Sequence, residues 1–225
     1  MFTSIIEHLA QGDTDLMLFL NGWHTHFWNG VMQLITTTQT WILFFIALLL
    51  TTCRSMVKWN HTLIFILGII LVIGFADHIS VQILRPFFQR MRPGNLDNPI
   101  CSDIYVFAGR RGGPYGFPSA HAANTFGLAF FFMWTLRNKW VTLITMLWAV
   151  IICYTRIYLG KHYPGDLLFG ATVGFTGATT IYLIMKYVFK LRQPEKVKHI
   201  RYIYAAFILT ISGILAVAPF LPSRW

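Results

Sequence analysis

Several residues of this chain could work together on a phosphoryl group. His162 and Asp166 are four apart, and Pro164 between them suits the first turn of a helix, so both side chains can share one face. A carboxylate that accepts from one ring nitrogen leaves the other free and more basic. That suits a nucleophile which attacks phosphorus, carries the phosphoryl group and surrenders it to water. The bland reading of the same pair is an interfacial histidine capped by a nearby acid. Ser119 lies near a predicted helix start, where its hydroxyl and the free backbone amides can hold phosphate oxygens. His121, in the first turn, is placed to give a proton to a departing oxygen. Arg85, Arg92 and Arg156 can make forked, charge-assisted bonds to phosphoryl oxygens and stabilise a five-coordinate transition state. Arg90, Arg110, Arg111 and Lys161 read instead as snorkelling residues or peripheral substrate contacts. Asp77 could hold one of the arginines, or with His78 simply mark an interfacial helix end.

These residues need elements to bring them together. Of 225 residues 56% are apolar and 12% charged, arranged in long apolar runs, so the expected solvent is a bilayer. Residues 3–20 mix scattered apolar positions with Glu7, Asp13 and Asp15, which predicts a short interfacial helix and a poor signal peptide. Spans are predicted within 27–52 (strongest 41–50) and over 61–79, 118–136, 140–154, 164–189 and 203–220. The fold class is therefore all-α, a polytopic membrane protein with about six transmembrane helices and one domain over 1–225. A connection from about 80 to 117, rich in Arg, Gly and Pro, is unusually long for a helix bundle and suits a functional loop. Its segment 95–116, with turn signals at Asn98-Pro99 and Gly112-Gly113-Pro114, is expected to shape the site's entrance. Antiparallel packing of the spans would gather the polar clusters at 85–93, 118–121 and 155–166 at one end.

The formal charge is +10, yet the basic residues sit in short links between apolar runs, which favours head groups and phosphates over nucleic acid as partners. The links after spans one, three and five hold ten: Arg54, Lys58, Arg137, Lys139, Lys186, Lys190, Arg192, Lys196, Lys198 and Arg201. The opposite side holds eight: Arg85, Arg90, Arg92, Arg110, Arg111, Arg156, Lys161 and Arg224. Discounting those that read as phosphate ligands places the ten on the cytoplasmic side and the chemistry on the exterior or periplasmic face. Cys53, Cys101 and Cys153 are too far apart in sequence for a CxxC ligand pair and form no disulfide framework.

The three polar clusters resemble the signature of the type 2 phosphatidic acid phosphatases, the PAP2 superfamily. That signature is Lys, six residues, Arg-Pro; then Pro-Ser-Gly-His; then Ser-Arg, five residues, His, three residues, Asp. Here the first part begins at Arg85 in the lysine position and ends at Arg92-Pro93. The second is Pro118-Ser119-Ala120-His121, with alanine for glycine, and the third runs from Thr155-Arg156 through His162 to Asp166, with threonine for serine. The resemblance implies a PAP2-like helical bundle in which His162 is the nucleophile, oriented by Asp166. It implies that His121 protonates the leaving group and later activates water, and that Arg85, Arg92, Ser119, Ala120 (through its backbone) and Arg156 hold the phosphoryl group. It also implies chemistry without a metal or other cofactor.

On this reading the substrate is an extracytoplasmic lipid phosphate or diphosphate, with undecaprenyl diphosphate placed first. Phosphatidylglycerophosphate and lipid A are the alternatives, and no obligate protein partner is expected. A protein that binds or transports a lipid phosphate without turnover would explain the arginines but not the two histidines and the aspartate at these spacings. Vanadium haloperoxidases share a similar anion pocket, but they are soluble and larger.

Overall fold

A computed structural model describes residues 2–221, whose regular structure is helical; Arg224, counted above on the site side, lies outside them. In hydrocarbon every backbone N–H and C=O must be satisfied within its own segment, so long apolar runs become helices. The chain forms α1 (Phe2–Asn21), α2 (His26–Thr36), α3 (Ile42–Ser55), α4 (Trp59–Asp77), α5 (Arg85–Phe88), α6 (Ala120–Leu136), α7 (Lys139–Tyr158), α8 (Pro164–Tyr187) and α9 (Arg201–Val217). Among the described residues, five helical stretches are long and apolar enough to cross a membrane: Thr38–Ser55, Trp59–Phe88, Lys139–Tyr158, Pro164–Tyr187 and Arg201–Phe220. With its 17 residues, α6 sits at the short end of the spanning range and makes a sixth. The molecule is a multi-pass membrane protein.

Two predicted spans differ from the sequence expectation in detail. The first is broken at Thr37, which is extended and whose hydroxyl donates to Gln33 O at 2.8 Å. Four threonines in this stretch, Thr36, Thr37, Thr38 and Thr40, offer the backbone such local partners, and β-branching adds to the penalty against a continuous helix. Trp41 staples the break by donating from its indole to Ile35 O. The second span does not stop at Ile79 but continues through π-helical turns, His78–Leu84, into α5. Pro86 has no N–H for the carbonyl four residues back, so the helix widens ahead of it and the Arg85 N–H reaches Ser80 O. The long connection therefore begins at Gln89, which closes α5 in a left-handed conformation.

The contact that matters most for the site is between α6 and α8. A Cβ on Gly170 would lie 2.4 Å from Ser119 O, and one on Gly174 2.4 Å from Ala123 O, so the two backbones touch where only glycine fits. This is the small-residue packing that membrane helices use to approach closely. Below it, Trp41, Phe44, Phe65, Phe131 and Trp148 fill the shared core.

The α1 helix is docked as well as amphipathic. Ile5, Leu9, Leu16 and Phe19 face outward, whereas Met17 is buried beside Tyr163 and Leu167. Asn21 donates to Ile157 O and Tyr158 O and accepts from Tyr105 N.

Candidate active site

The ends of α5, α6, α7 and α8 meet at one end of the bundle, bringing the three polar clusters together. Ser119 is the N-cap of α6, its hydroxyl accepting from Ala122 N, and its own N–H donates to Asp166 O at 3.0 Å. One guanidinium N–H of Arg85 donates to Pro118 O at 3.3 Å. Arg92 is buried; its Nε donates to Gly113 O, and its Nη1 to Lys161 O and, at 3.0 Å, to His162 Nε2. Arg156 donates to the Thr36 hydroxyl at 2.7 Å. His121 is exposed along a cavity and lies within electrostatic reach of Arg156, His162, Arg92 and Arg85.

Because arginine can only donate, Nε2 of His162 is the acceptor and the ring proton sits on Nδ1. Burial holds the His162 pKa well below the usual histidine value, and Arg92, Arg156 and Arg85 push it further in the same direction. The ring is neutral at ordinary pH, with a lone pair on the nitrogen that faces the arginines. Burial, reinforced by Arg85, lowers Arg92 to about 10, and burial with Arg156, Arg92 and Arg110 lowers Lys161 to about 8. Arg85 Nε and Arg156 Nε are buried without a hydrogen-bond partner among the described residues. So many desolvated donors around one nitrogen make a site that an oxyanion would stabilise.

The sequence expectation for the His162–Asp166 pair needs correcting. His162 is not on the helix: Tyr163 is the N-cap of α8 and Pro164 its first residue. Asp166 Oδ2 lies 3.5 Å from His162 Nδ1, a contact but not a well-formed hydrogen bond, and it accepts from Tyr163 N at 3.0 Å in a capping box. Oδ1 accepts from Arg90 at 2.8 Å. Arg90 is thus no snorkelling residue: burial opposes its charge, but Asp166 and Asp13 overcome that and raise its pKa. Nor does Asp77 hold an arginine; its carboxylate accepts from Asn124 at 2.8 Å.

The connection from Gln89 to Ser119 folds back on itself. Its two strands exchange Arg92 N–H to Pro114 O and Gly116 N–H to Arg90 O, and its far end buttresses Arg92 through Gly113. Arg111 is occupied within the loop, donating to Gly94 O at 2.6 Å. Gly116 presses on the site: a Cβ there would lie 3.0 Å from the Arg92 stem and 3.2 Å from Asp166 Oδ2. Sequence reasoning missed Gly116 and Asp13, and no local signal would have found them, since each acts by contact across the fold.

Beside His121 runs a cavity of about 600 Å³, with Thr36, Asp77 and Asn124 among its polar walls. Ile66, Leu128, Phe132 and Trp148 line it further down the bundle. An apolar groove that reaches His121, and Thr36 to which Arg156 donates, suits a molecule with an apolar tail and an anionic head.

Residues 61–190 match the family model described as the PAP2 superfamily. The chain belongs to the PAP2 superfamily. It is a lipid phosphatase, in agreement with the sequence resemblance. The lipid A 4'-phosphatase of Bacteroides thetaiotaomicron is 43% identical over 180 residues, 80% of this chain and 80% of that one. The protein of the same name from Porphyromonas gingivalis is 32% identical over 185 residues, 81% of this chain and 76% of its own. An undecaprenyl-diphosphatase of Sulfolobus acidocaldarius matches over 109 residues at 30% identity, 48% of this chain and 50% of that one. Among solved structures, Aquifex aeolicus LpxE superposes with a TM-score of 0.58 at 21% identity, covering 75% of this chain and 93% of its own, a likeness of fold.

Proposed function

We propose that this phosphatase removes a phosphate from the sugar head of a lipid A-type acylated glycolipid, through a phosphohistidine on His162. The observation that carries the catalytic half is the 3.0 Å contact that leaves a neutral, buried imidazole facing Arg92 with its lone pair. Support for the substrate comes from two relatives named as lipid A 4'-phosphatases, which match over most of both chains, whereas the undecaprenyl-diphosphatase match covers about half. The sequence alone ranked undecaprenyl diphosphate first; the relatives favour lipid A.

In this reading His162 Nε2 attacks phosphorus, and the bond from phosphorus to the sugar oxygen breaks as protonated His121 gives that oxygen its proton. Water then attacks the phosphohistidine, losing a proton to His121, and the P–N bond breaks to release inorganic phosphate and regenerate the neutral ring. Arg85, Arg92, Arg156, the Ser119 cap and the amides of Ala120 and His121 hold the equatorial oxygens. Asp166 steadies the Nδ1–H side of His162. The acyl chains lie along the groove past Leu128 and Phe132. The excess of exposed cations at the opposite end supports a site on the periplasmic face of the inner membrane.

The test is phosphate release by detergent-purified protein, without added metal, from lipid A, undecaprenyl diphosphate, phosphatidylglycerophosphate and phosphatidic acid, with mass spectrometry locating the phosphate lost. Preference for lipid A with loss of the 4'-phosphate is the expected result. Preference for undecaprenyl diphosphate would overturn the substrate assignment and leave the chemistry standing. No turnover of any of them by folded protein would overturn both.

A further inference from the structure

The α1 helix carries three acidic residues, and two of them face outward: Glu7 is exposed, and Asp15 is exposed and accepts from Gln11 one turn away. Asp13 is different. It lies on the inward stripe with Met17 and Asn21, at successive spacings of four, which seats α1 against α7, α8 and the loop at Tyr105.

Both carboxylate oxygens of Asp13 are used. Oδ1 accepts from Gly165 N at 2.7 Å, and Oδ2 from Arg90 Nη2 at 2.6 Å. Gly165 is the second residue of α8, so its N–H is one of the donors that a helix start leaves unpaired, and Asp13 satisfies it from another helix. Arg90 then hands the interaction on, donating from Nη1 to Asp166 Oδ1 at 2.8 Å while its guanidinium stacks 4.0 Å over the Tyr163 ring. The far oxygen of Asp166 is the one that lies 3.5 Å from His162 Nδ1. A continuous chain of charge and hydrogen bonds thus runs from α1 to the nucleophile proposed above.

We infer that Asp13 is a positioning residue for His162: by sharing Arg90 with Asp166, it sets how much of the Asp166 carboxylate remains to hold the imidazole. Arg90 between two carboxylates divides its charge. With one carboxylate removed, Arg90 turns wholly on Asp166, drawing it away from the ring and taking one negative charge from beside a site already crowded with cations. The side-chain carbonyl that Asp13→Asn retains could still accept from Gly165 N, so this substitution removes the ion pair while keeping the helix contact. The inference rests on the phosphohistidine reading, and it adds a residue from outside the three motifs.

The experiment measures kcat, KM and melting temperature for full-length protein in detergent, with a short-chain phosphatidic acid and with lipid A as probes. The variants are Asp13→Asn, Asp13→Glu, Arg90→Gln, the double Asp13→Asn/Arg90→Gln, and Met17→Ala. Asp13→Asn is expected to lower kcat about tenfold with KM within about twofold, and Asp13→Glu to recover most of it. The double variant should be no worse than Arg90→Gln alone, because the two residues act through one chain. Met17→Ala, which loosens the same helix without touching the carboxylates, should lower the melting temperature and keep kcat.

A kcat unchanged in Asp13→Asn would overturn the inference, as would losses in Asp13→Asn and Arg90→Gln that multiply in the double variant. Equal loss of kcat in Met17→Ala would assign the effect to docking of α1 and overturn it too. Should the asparagine variant not fold, Asp13→Gln against Asp13→Glu repeats the charge comparison at matched length. Wild-type protein that turns over no lipid phosphate would instead remove the phosphohistidine reading itself.

Discussion

At one end of the bundle Arg54, Lys58, Arg137, Lys139, Lys186, Lys190, Arg192, Lys196, Lys198 and Arg201 are all exposed. At the other, Arg92 is buried and bonded to Gly113, Lys161 and His162, Arg90 bridges two carboxylates, and Arg85 and Arg156 each keep a buried Nε. Among the described residues, all three ion pairs lie at this second end. The two ends carry similar numbers of cations, and what separates them is solvent. A cation in water is screened and interacts weakly at a distance, whereas one taken out of water must find a partner or await one. The first kind can orient a membrane protein and the second can bind phosphate, and a count of charges does not tell them apart.

The contrast can be broken most severely at its centre. His162→Ala should lower phosphate release at least about a thousandfold in protein that still folds, because the proposed phosphohistidine forms on that ring; inorganic phosphate assayed against time is the measurement. Next comes Arg92→Lys, which keeps the charge but loses the fork that reaches Gly113, Lys161 and His162 together. A fall of about a hundredfold in kcat is expected from losing one such preorganised donor set, and near-normal activity would mean that charge alone suffices.

The pH dependence of stability sharpens the comparison from the desolvated side. His162 has its folded pKa held well below 6.5, so at acid pH the unfolded chain binds a proton that the folded one refuses. Its contribution to stability is therefore full above the unfolded value and is lost as pH falls below it, by about 1.4 kcal/mol per pH unit. Melting curves in detergent between pH 7.5 and 5.5 should show a steeper decline for wild type than for His162→Gln. The smallest effect is expected at the other end. Lys196→Gln with Lys198→Gln should change kcat/KM by less than about twofold, as exposed charges do when they lie far from the chemistry; a tenfold change would erase the distinction between the ends.

Local pattern in the chain was enough to set the class of the molecule. Hydropathy marked the six spans because the bilayer fixes how long an apolar run must be, and α7, α8 and α9 begin within two residues of where the apolar runs put them. Motif spacing likewise pointed to His162, His121, Ser119 and the three arginines, whose clusters the fold gathers at one end of the bundle. Breaks and continuations within helices were less legible. The interruption at Thr37 and the widened turns before Pro86 depend on competition between side-chain and backbone hydrogen bonds, which hydropathy does not register.

What only the tertiary structure decided is who partners whom. Arg90 and Arg92 are two residues apart and look alike in sequence, yet one serves Asp166 and Asp13 while the other serves His162. Asp13 and Asp15 are likewise two apart, and one reaches the site while the other faces outward. Spacing along the chain defines helices and motifs because those are local. Desolvation and pairing belong to neighbours brought together from 77 or 152 residues away, so the fold had to assemble before either was determined.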